Sequence, residues 1–151
     1  MNALSFFKNK KIRDFALKQI AESKRSYIYT NLLIANYKNG DGKLLRHLLH
    51  EAHSIELVHS LAESYIKIFQ TNRDSDCKAT LVDVYDKLNC AICRKDIIEI
   101  LIKYKFLPSK IYKEIQFDSS VEIQKLYLNQ KLLISNRNKL MEANGSPLEI
   151  L

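Results

Sequence analysis

The chain has 151 residues, 46% apolar and 27% charged, with only 3 glycines and 2 prolines. That balance fits one globular domain with a real core, and so few chain-breakers exclude a many-turned β-sandwich in favour of long helices. Net charge is +7 but concentrated: residues 1–25 carry Lys8, Lys10, Lys11, Arg13, Lys18, Lys24 and Arg25 against Asp14 and Glu22, and the rest is nearly neutral.

No apolar run approaches the ~18–20 residues that span a bilayer. The opening Met1-Asn2-Ala3-Leu4-Ser5-Phe6-Phe7 meets Lys8 without a signal-peptide apolar stretch. The expected location is the cytoplasm, with no membrane partner. Cys77, Cys90 and Cys93 make an odd count, a poor disulfide framework, and read as reduced thiols.

Ile12, Phe15, Ala16 and Ile20 share one face of a first helix. Tyr27 to Tyr37 forms a second apolar segment that Asn39-Gly40 stops. Asp41 is placed to cap a third helix, with Leu44, Leu45, Leu48, Leu49 and Ala52 as its stripe. Ser54 can cap a fourth, with Val58, Leu61, Ala62, Tyr65, Ile66 and Phe69 inward. Thr71 to Asp76 is a polar loop. Asp76 can cap a fifth helix (Leu81, Val84, Tyr85, Leu88 inward), and Asn89 a sixth (Ile97, Ile100, Leu101, Tyr104 inward). Pro108 suits the first turn of a short seventh helix through Ile115. Asp118 or Ser119 can cap an eighth, with Ile123, Leu126, Tyr127 and Leu132, running towards Asn144-Gly145. The expected organisation is one domain over residues 1–145 and a tail over 146–151.

Aligning the even-numbered helices exposes a repeat. Ile28-Tyr29, Val58-His59, Cys93-Arg94 and Ile123-Gln124 follow at steps of 30, 35 and 30 residues, and four positions on stand Leu32, Ala62, Ile97 and Tyr127. Two helices per unit of that length mark an α-solenoid, in which each hairpin must stack on the next to bury its apolar face. The segment Asn89-Cys90-Ala91-Ile92-Cys93-Arg94-Lys95-Asp96-Ile97-Ile98-Glu99-Ile100-Leu101 resembles the second helix of a HEAT repeat: a polar cap, an apolar residue followed by Arg, then apolar positions. Arg94 alone fills the basic position; Tyr29, His59 and Gln124 stand there in the other units. The resemblance covers about residues 9–135 and implies an all-α, short right-handed solenoid of about four HEAT-like hairpins, about eight helices. It also implies a scaffold whose second helices line a concave binding surface.

Chemistry-bearing residues are sparse. Residues three apart share a helix side, so His47 with His50, or His50 with His53, could chelate zinc, although all three diverge around the helix. Against that stands a plain polar face. Cys90-x-x-Cys93 opens a helix, where the dipole favours a thiolate, but redox use normally needs a preceding strand. Cys93 also lies in the apolar column of the repeat and reads as core. No glycine-rich phosphate loop or nucleophilic triad is recognisable. Asp83/Asp86 and Asp74/Asp76 read as surface and capping groups. Tyr65, Tyr85, Tyr104 and Tyr127 fit inner stripes, which leaves Tyr27, Tyr29, Tyr37 and Tyr112 as interface candidates, with Tyr27, Tyr29 and Tyr112 the aromatic anchors for a partner.

The expected function is therefore non-catalytic protein binding, with no cofactor and no metal. The solvent row of the second helices comprises Glu56, Ser60, Glu63, Lys67, Lys95, Glu99, Lys103, Glu122 and Lys125. Its mixed signs suit a specific protein better than a uniform polyanion. In size and helical make-up the chain is similar to small bacterial immunity proteins of the contact-dependent growth inhibition type, which implies a cognate toxin as partner, often a nuclease. The alternative is nucleic-acid binding by the basic patch Lys8, Lys10, Lys11, Arg13 and Lys18.

Overall fold

The computed structural model describes residues 2–143. The described residues form seven α-helices and three 3-10 segments, with no strand among them. The chain divides into two compact units, Met1–Leu107 and Pro108–Leu151. The tail expected over residues 146–151, and the Asn144-Gly145 stop before it, lie outside the described residues.

The first unit opens with a 3-10 segment, Asn2–Phe6, and then α1, Lys10–Glu22. Asn9 caps α1 by accepting from the Lys11 N–H at 2.8 Å, and Ala16 and Ile20 are its buried residues. The expected second helix is instead a 3-10 segment, Ser26–Leu33. Its β-branched and aromatic residues crowd an α-helical turn, and the Thr30 hydroxyl donates to the Tyr27 carbonyl three residues back at 2.6 Å, which suits the tighter winding.

Asn36, which is buried, ties together the linker at residues 7–9, α1 and the Ser26–Leu33 segment. Its amide donates to the carbonyls of Phe7 and Leu32 at 2.9 and 3.0 Å, and its side-chain oxygen accepts from the Asn9 N–H at 2.8 Å. Its own carbonyl accepts from Arg13 at 2.7 Å.

Helix α2 spans Asp41–His50. Gly40 precedes it at φ +93°, a left-handed conformation that glycine adopts without Cβ strain. Asp41 was expected to cap α2, yet it is the first helical residue, and its carboxylate closes the preceding turn by accepting from the Lys38 N–H at 2.8 Å. Helix α3, Ile55–Thr71, starts at Ser54 as expected: the Ser54 hydroxyl accepts from the Leu57 N–H at 3.2 Å. It carries the core of the unit, with Val58, Leu61, Ala62, Tyr65, Ile66, Ile68 and Phe69 all buried. The Tyr65 hydroxyl is satisfied by donating to the Leu45 carbonyl of α2 at 2.6 Å.

Helix α4 spans Asp76–Lys87 and α5 spans Ala91–Lys103. The cap of α5 is Cys90 rather than the expected Asn89, which sets a sulfur at the mouth of the helix. Lys105 ends α5 in the left-handed region at φ +59°; Phe106 N–H reaches back to the Leu101 carbonyl at 2.7 Å and Lys105 N–H to Ile102 at 3.0 Å, the paired bonds of a Schellman stop. Within the unit α2 packs on α4, and α3 packs on both α5 and the Ser26–Leu33 segment. Tyr65, Tyr85 and Tyr104 are buried, as their stripes require.

The second unit contains α6, Ser109–Glu114, a 3-10 turn, Ile115–Phe117, and α7, Val121–Ala143. Asp118 pins the entry to α7: its carboxylate accepts from the Ser120 N–H at 2.8 Å and its carbonyl from the Gln124 amide at 2.7 Å. Ile111, Ile115 and Ile123 are buried. Among the described residues no helix is long and apolar enough to cross a membrane.

Candidate functional site

The packing of α3 on α5 decides what these two helices can present. Every residue expected in their solvent row reaches the surface: Glu56, Glu63, Lys67, Glu99 and Lys103 are exposed, and Ser60 and Lys95 half-exposed. Ser60 spends its hydroxyl on the Glu56 carbonyl at 2.9 Å, and Lys95 pairs with Glu99 at 2.8 Å. Within the first unit the row balances three acidic against three basic groups. Glu122 and Lys125 are exposed on α7, in the second unit.

Between the same two helices lies a constellation that the sequence did not announce. His59 of α3, Cys90 and Cys93 each offer one ligand atom, and those atoms all lie within 4.8 Å of one another. Cys93 Sγ is 3.5 Å from His59 Nε2. On its far side the His59 ring turns Nδ1 towards the Glu63 carboxylate, 3.7 Å away. Cys93 is buried, whereas His59 and Cys90 are half-exposed, so the cluster sits beneath the charged row with one side open.

The two thiols differ in acidity. Hydrogen bonding from the Cys93 backbone N–H, with help from His59, the Cys93 thiol and the Ile92 N–H, outweighs burial at Cys90 and lowers its thiol to about 7. Burial raises Cys93 to about 12, and the neighbouring Cys90 adds to it. Burial raises Cys77 to about 12 as well, and it stands apart as a core thiol. A half-exposed acidic thiol, a buried thiol and an imidazole can ligate a metal or exchange thiol for disulfide.

His47, His50 and His53, weighed as zinc ligands against a plain polar face, are exposed and form no group of three ligands; among the described residues His59, Cys90 and Cys93 are the one such group. Asp74 was expected at the surface and is buried, because the Tyr37 hydroxyl donates to its carboxylate at 2.5 Å. The aromatic candidates Tyr27, Tyr29 and Tyr112 are half-exposed. Tyr29 packs edge-on against Phe15, and Tyr112 packs against Tyr127 with the two rings tilted. Of the basic patch, Lys8, Lys10, Lys11 and Lys18 are exposed. Arg13 is instead held by Asp41 through two bonds of 2.5 and 2.7 Å. A hollow lined by Lys8, Asn9, Lys10, Arg13, Asn36, Tyr37 and Lys38 opens beside it.

Helix α7 departs furthest from its expected role. Leu132 was placed inward; it is exposed, and with Val121 and Leu128 it forms one apolar stripe, while Leu133 and Leu140 form another about a third of the way round. All five are more than half exposed.

Compared with family models, with curated proteins and with solved structures, the chain matches none.

Proposed function

We propose that the chain is a non-catalytic protein-binding module with one dedicated partner. The observation that carries the reading is α7. A helix apolar on several sides is normally covered by protein, and here two stripes of large aliphatic side chains meet solvent. The partner to which we assign them is a folded protein offering an apolar groove, a helix-in-groove contact.

The first unit supplies a second surface, the balanced charged row on α3 and α5. Opposite charges interleaved in this way select a register and one partner more than they add affinity. We read the stacking of α2 on α4 and of the Ser26–Leu33 segment, α3 and α5 in a second layer as a short right-handed HEAT-like solenoid. The 30–35 residue period supports it. Small size and helical make-up favour an immunity-type inhibitor that occludes a toxin's active site. If that toxin is a nuclease, Glu56, Glu63, Glu99 and Glu122 are the groups to meet its basic cleft.

The test is a tagged pull-down from the source cell with and without added nuclease. One protein retained in near-equal amount after treatment supports the reading. Self-association alone, or loss of everything on nuclease treatment, overturns it. The second outcome would favour phosphate contact at the hollow lined by Lys8, Lys10 and Lys38.

A further inference from the structure

Metal sites are recognised by donor chemistry and by the distances between donors. The spacing Cys90-x-x-Cys93 is that of a zinc knuckle, and it opens α5, where both sulfurs lie within one turn. The third donor comes from a different helix. His59 stands one repeat earlier, and the packing of α3 on α5 brings its ring to the sulfurs.

The distances suit one small ion. With Zn–S of about 2.3 Å and Zn–N of about 2.0–2.1 Å, a tetrahedral centre has S···N edges of roughly 3.5 Å and S···S edges of roughly 3.8 Å. Cys93 Sγ to His59 Nε2 is 3.5 Å, already at that edge. No ligand pair is farther apart than 4.8 Å, so no edge has to close by more than about 1.3 Å, within reach of side-chain rotation. An S–H···N hydrogen bond alone accounts for the single 3.5 Å contact. Cys90, hydrogen-bonded to His59 and to Cys93, is the third donor at the same point, so the three ligand atoms converge before any ion is bound.

The surroundings fit as well. A ligating histidine typically gives its other ring nitrogen to a carboxylate, and Glu63 lies 3.7 Å from Nδ1. Two thiolates and a neutral imidazole around a divalent ion sum to zero charge, which suits a half-buried position. Thiolate with imidazole selects zinc-class ions over magnesium or calcium, whose ligands are oxygens.

We propose that His59, Cys90 and Cys93 form a zinc-class metal site with three protein ligands and a fourth position open on the side of half-exposed Cys90. Zinc there ties the start of α5 to α3, directly beneath the charged row. The open position accepts water, or a donor from whatever binds that face.

The full chain, reduced and freed of metal, should be titrated with Co2+ as spectroscopic probe and then with Zn2+. The expected result is one equivalent of Co2+ with intense tetrahedral bands and sulfur-to-metal charge transfer, displaced by Zn2+. Cys90→Ser and His59→Gln should each weaken binding at least tenfold and change the spectrum. Both positions are half-exposed, so these variants avoid a core deletion, and circular dichroism verifies their fold. A variant with His47, His50 and His53 all changed to Gln should retain the site.

Absence of charge transfer in the wild type would overturn the proposal. So would binding that survives Cys90→Ser and His59→Gln but is lost with the three exposed histidines, or a reduced chain that only forms a Cys90–Cys93 disulfide and takes no metal. Each result stands apart from the pull-down, because α7 holds none of the ligands.

Discussion

Arg13 of α1 forks onto Asp41 at the start of α2, its two terminal nitrogens 2.5 and 2.7 Å from the two carboxylate oxygens. Both side chains are nearly buried, at 13% and 10% exposure. A third Arg13 bond runs to the Asn36 carbonyl at 2.7 Å. The pair therefore clamps α1 to the turn that launches α2.

Removing one partner of such a pair leaves the other charged and desolvated. Arg13→Ala should cost about 3 kcal/mol, well above the value of a surface pair. Urea denaturation should show a lower midpoint with an unchanged slope. The same variant should leave any phosphate affinity of the basic segment nearly intact, since Asp41 already holds the guanidinium. Lys8→Ala with Lys10→Ala should do the reverse. A loss of stability under 0.5 kcal/mol in Arg13→Ala would contradict the clamp.

Tyr37 and Asp74 make the structure sensitive to acid. Burial acts to raise Asp74, but hydrogen bonds from the Tyr37 and Ser75 hydroxyls and from the Asp76 and Ser75 backbone outweigh it and hold the carboxyl below its ordinary 3.8. A carboxyl depressed on folding contributes its stabilisation in full above the unfolded pKa, and loses it as pH falls through the folded value. Tyr37→Phe should therefore cost about 1.5–3 kcal/mol at pH 7, the range for a hydrogen bond to a charged group. Its deficit relative to the wild type should shrink as pH falls below the ordinary carboxyl value of 3.8 and on through the lower folded value. Denaturation curves at pH 7 and at a series of pH values below 3.8 measure both, and a deficit that stays constant down that series would exclude the linkage.

Lys105 occupies the left-handed position of the Schellman stop after α5, where a Cβ is strained and glycine is not. Lys105→Gly should stabilise the fold by about 1 kcal/mol despite the extra freedom it gives the unfolded chain. The reading is a rise in urea midpoint. A fall would mean that Lys105 contributes through its side chain.

How far the sequence carried depended on whether a feature was local. Ser54 as a cap, and Leu61, Tyr65 and Phe69 as a buried stripe, follow from spacings within one helix, and the structure has them there. The Ser26–Leu33 segment escaped because its apolar residues suit an α-helix and a 3-10 helix alike; the Thr30 bond that tips the balance is a side-chain geometry, not a period. The metal-ligand cluster escaped for a different reason. His59 and Cys93 are 34 residues apart, and periodicity says which face each occupies but not at what height two helices meet. The 35-residue step sets Val58 against Cys93 and His59 against Arg94, so spacing alone does not bring His59 and Cys93 together.

The exposed stripes of α7 yield the most direct test of partner binding. Leu128 and Leu132 lie one turn apart on the solvent side, so charge placed there enters no core. Leu128→Glu with Leu132→Glu should shift stability by no more than about 0.5 kcal/mol per site, as for surface changes in general. It should also leave the helical circular dichroism unchanged. Capture of the partner should drop at least a hundredfold, because a helix-in-groove contact concentrates its energy in such aliphatic anchors. Charge reversal at Glu63 and Glu99 should act more mildly and chiefly on the association rate, as rim charges do. If the leucine variant keeps full capture while the glutamate variant loses it, the partner sits on the first unit, and α7 is not the anchor. If both keep it, neither surface is the interface.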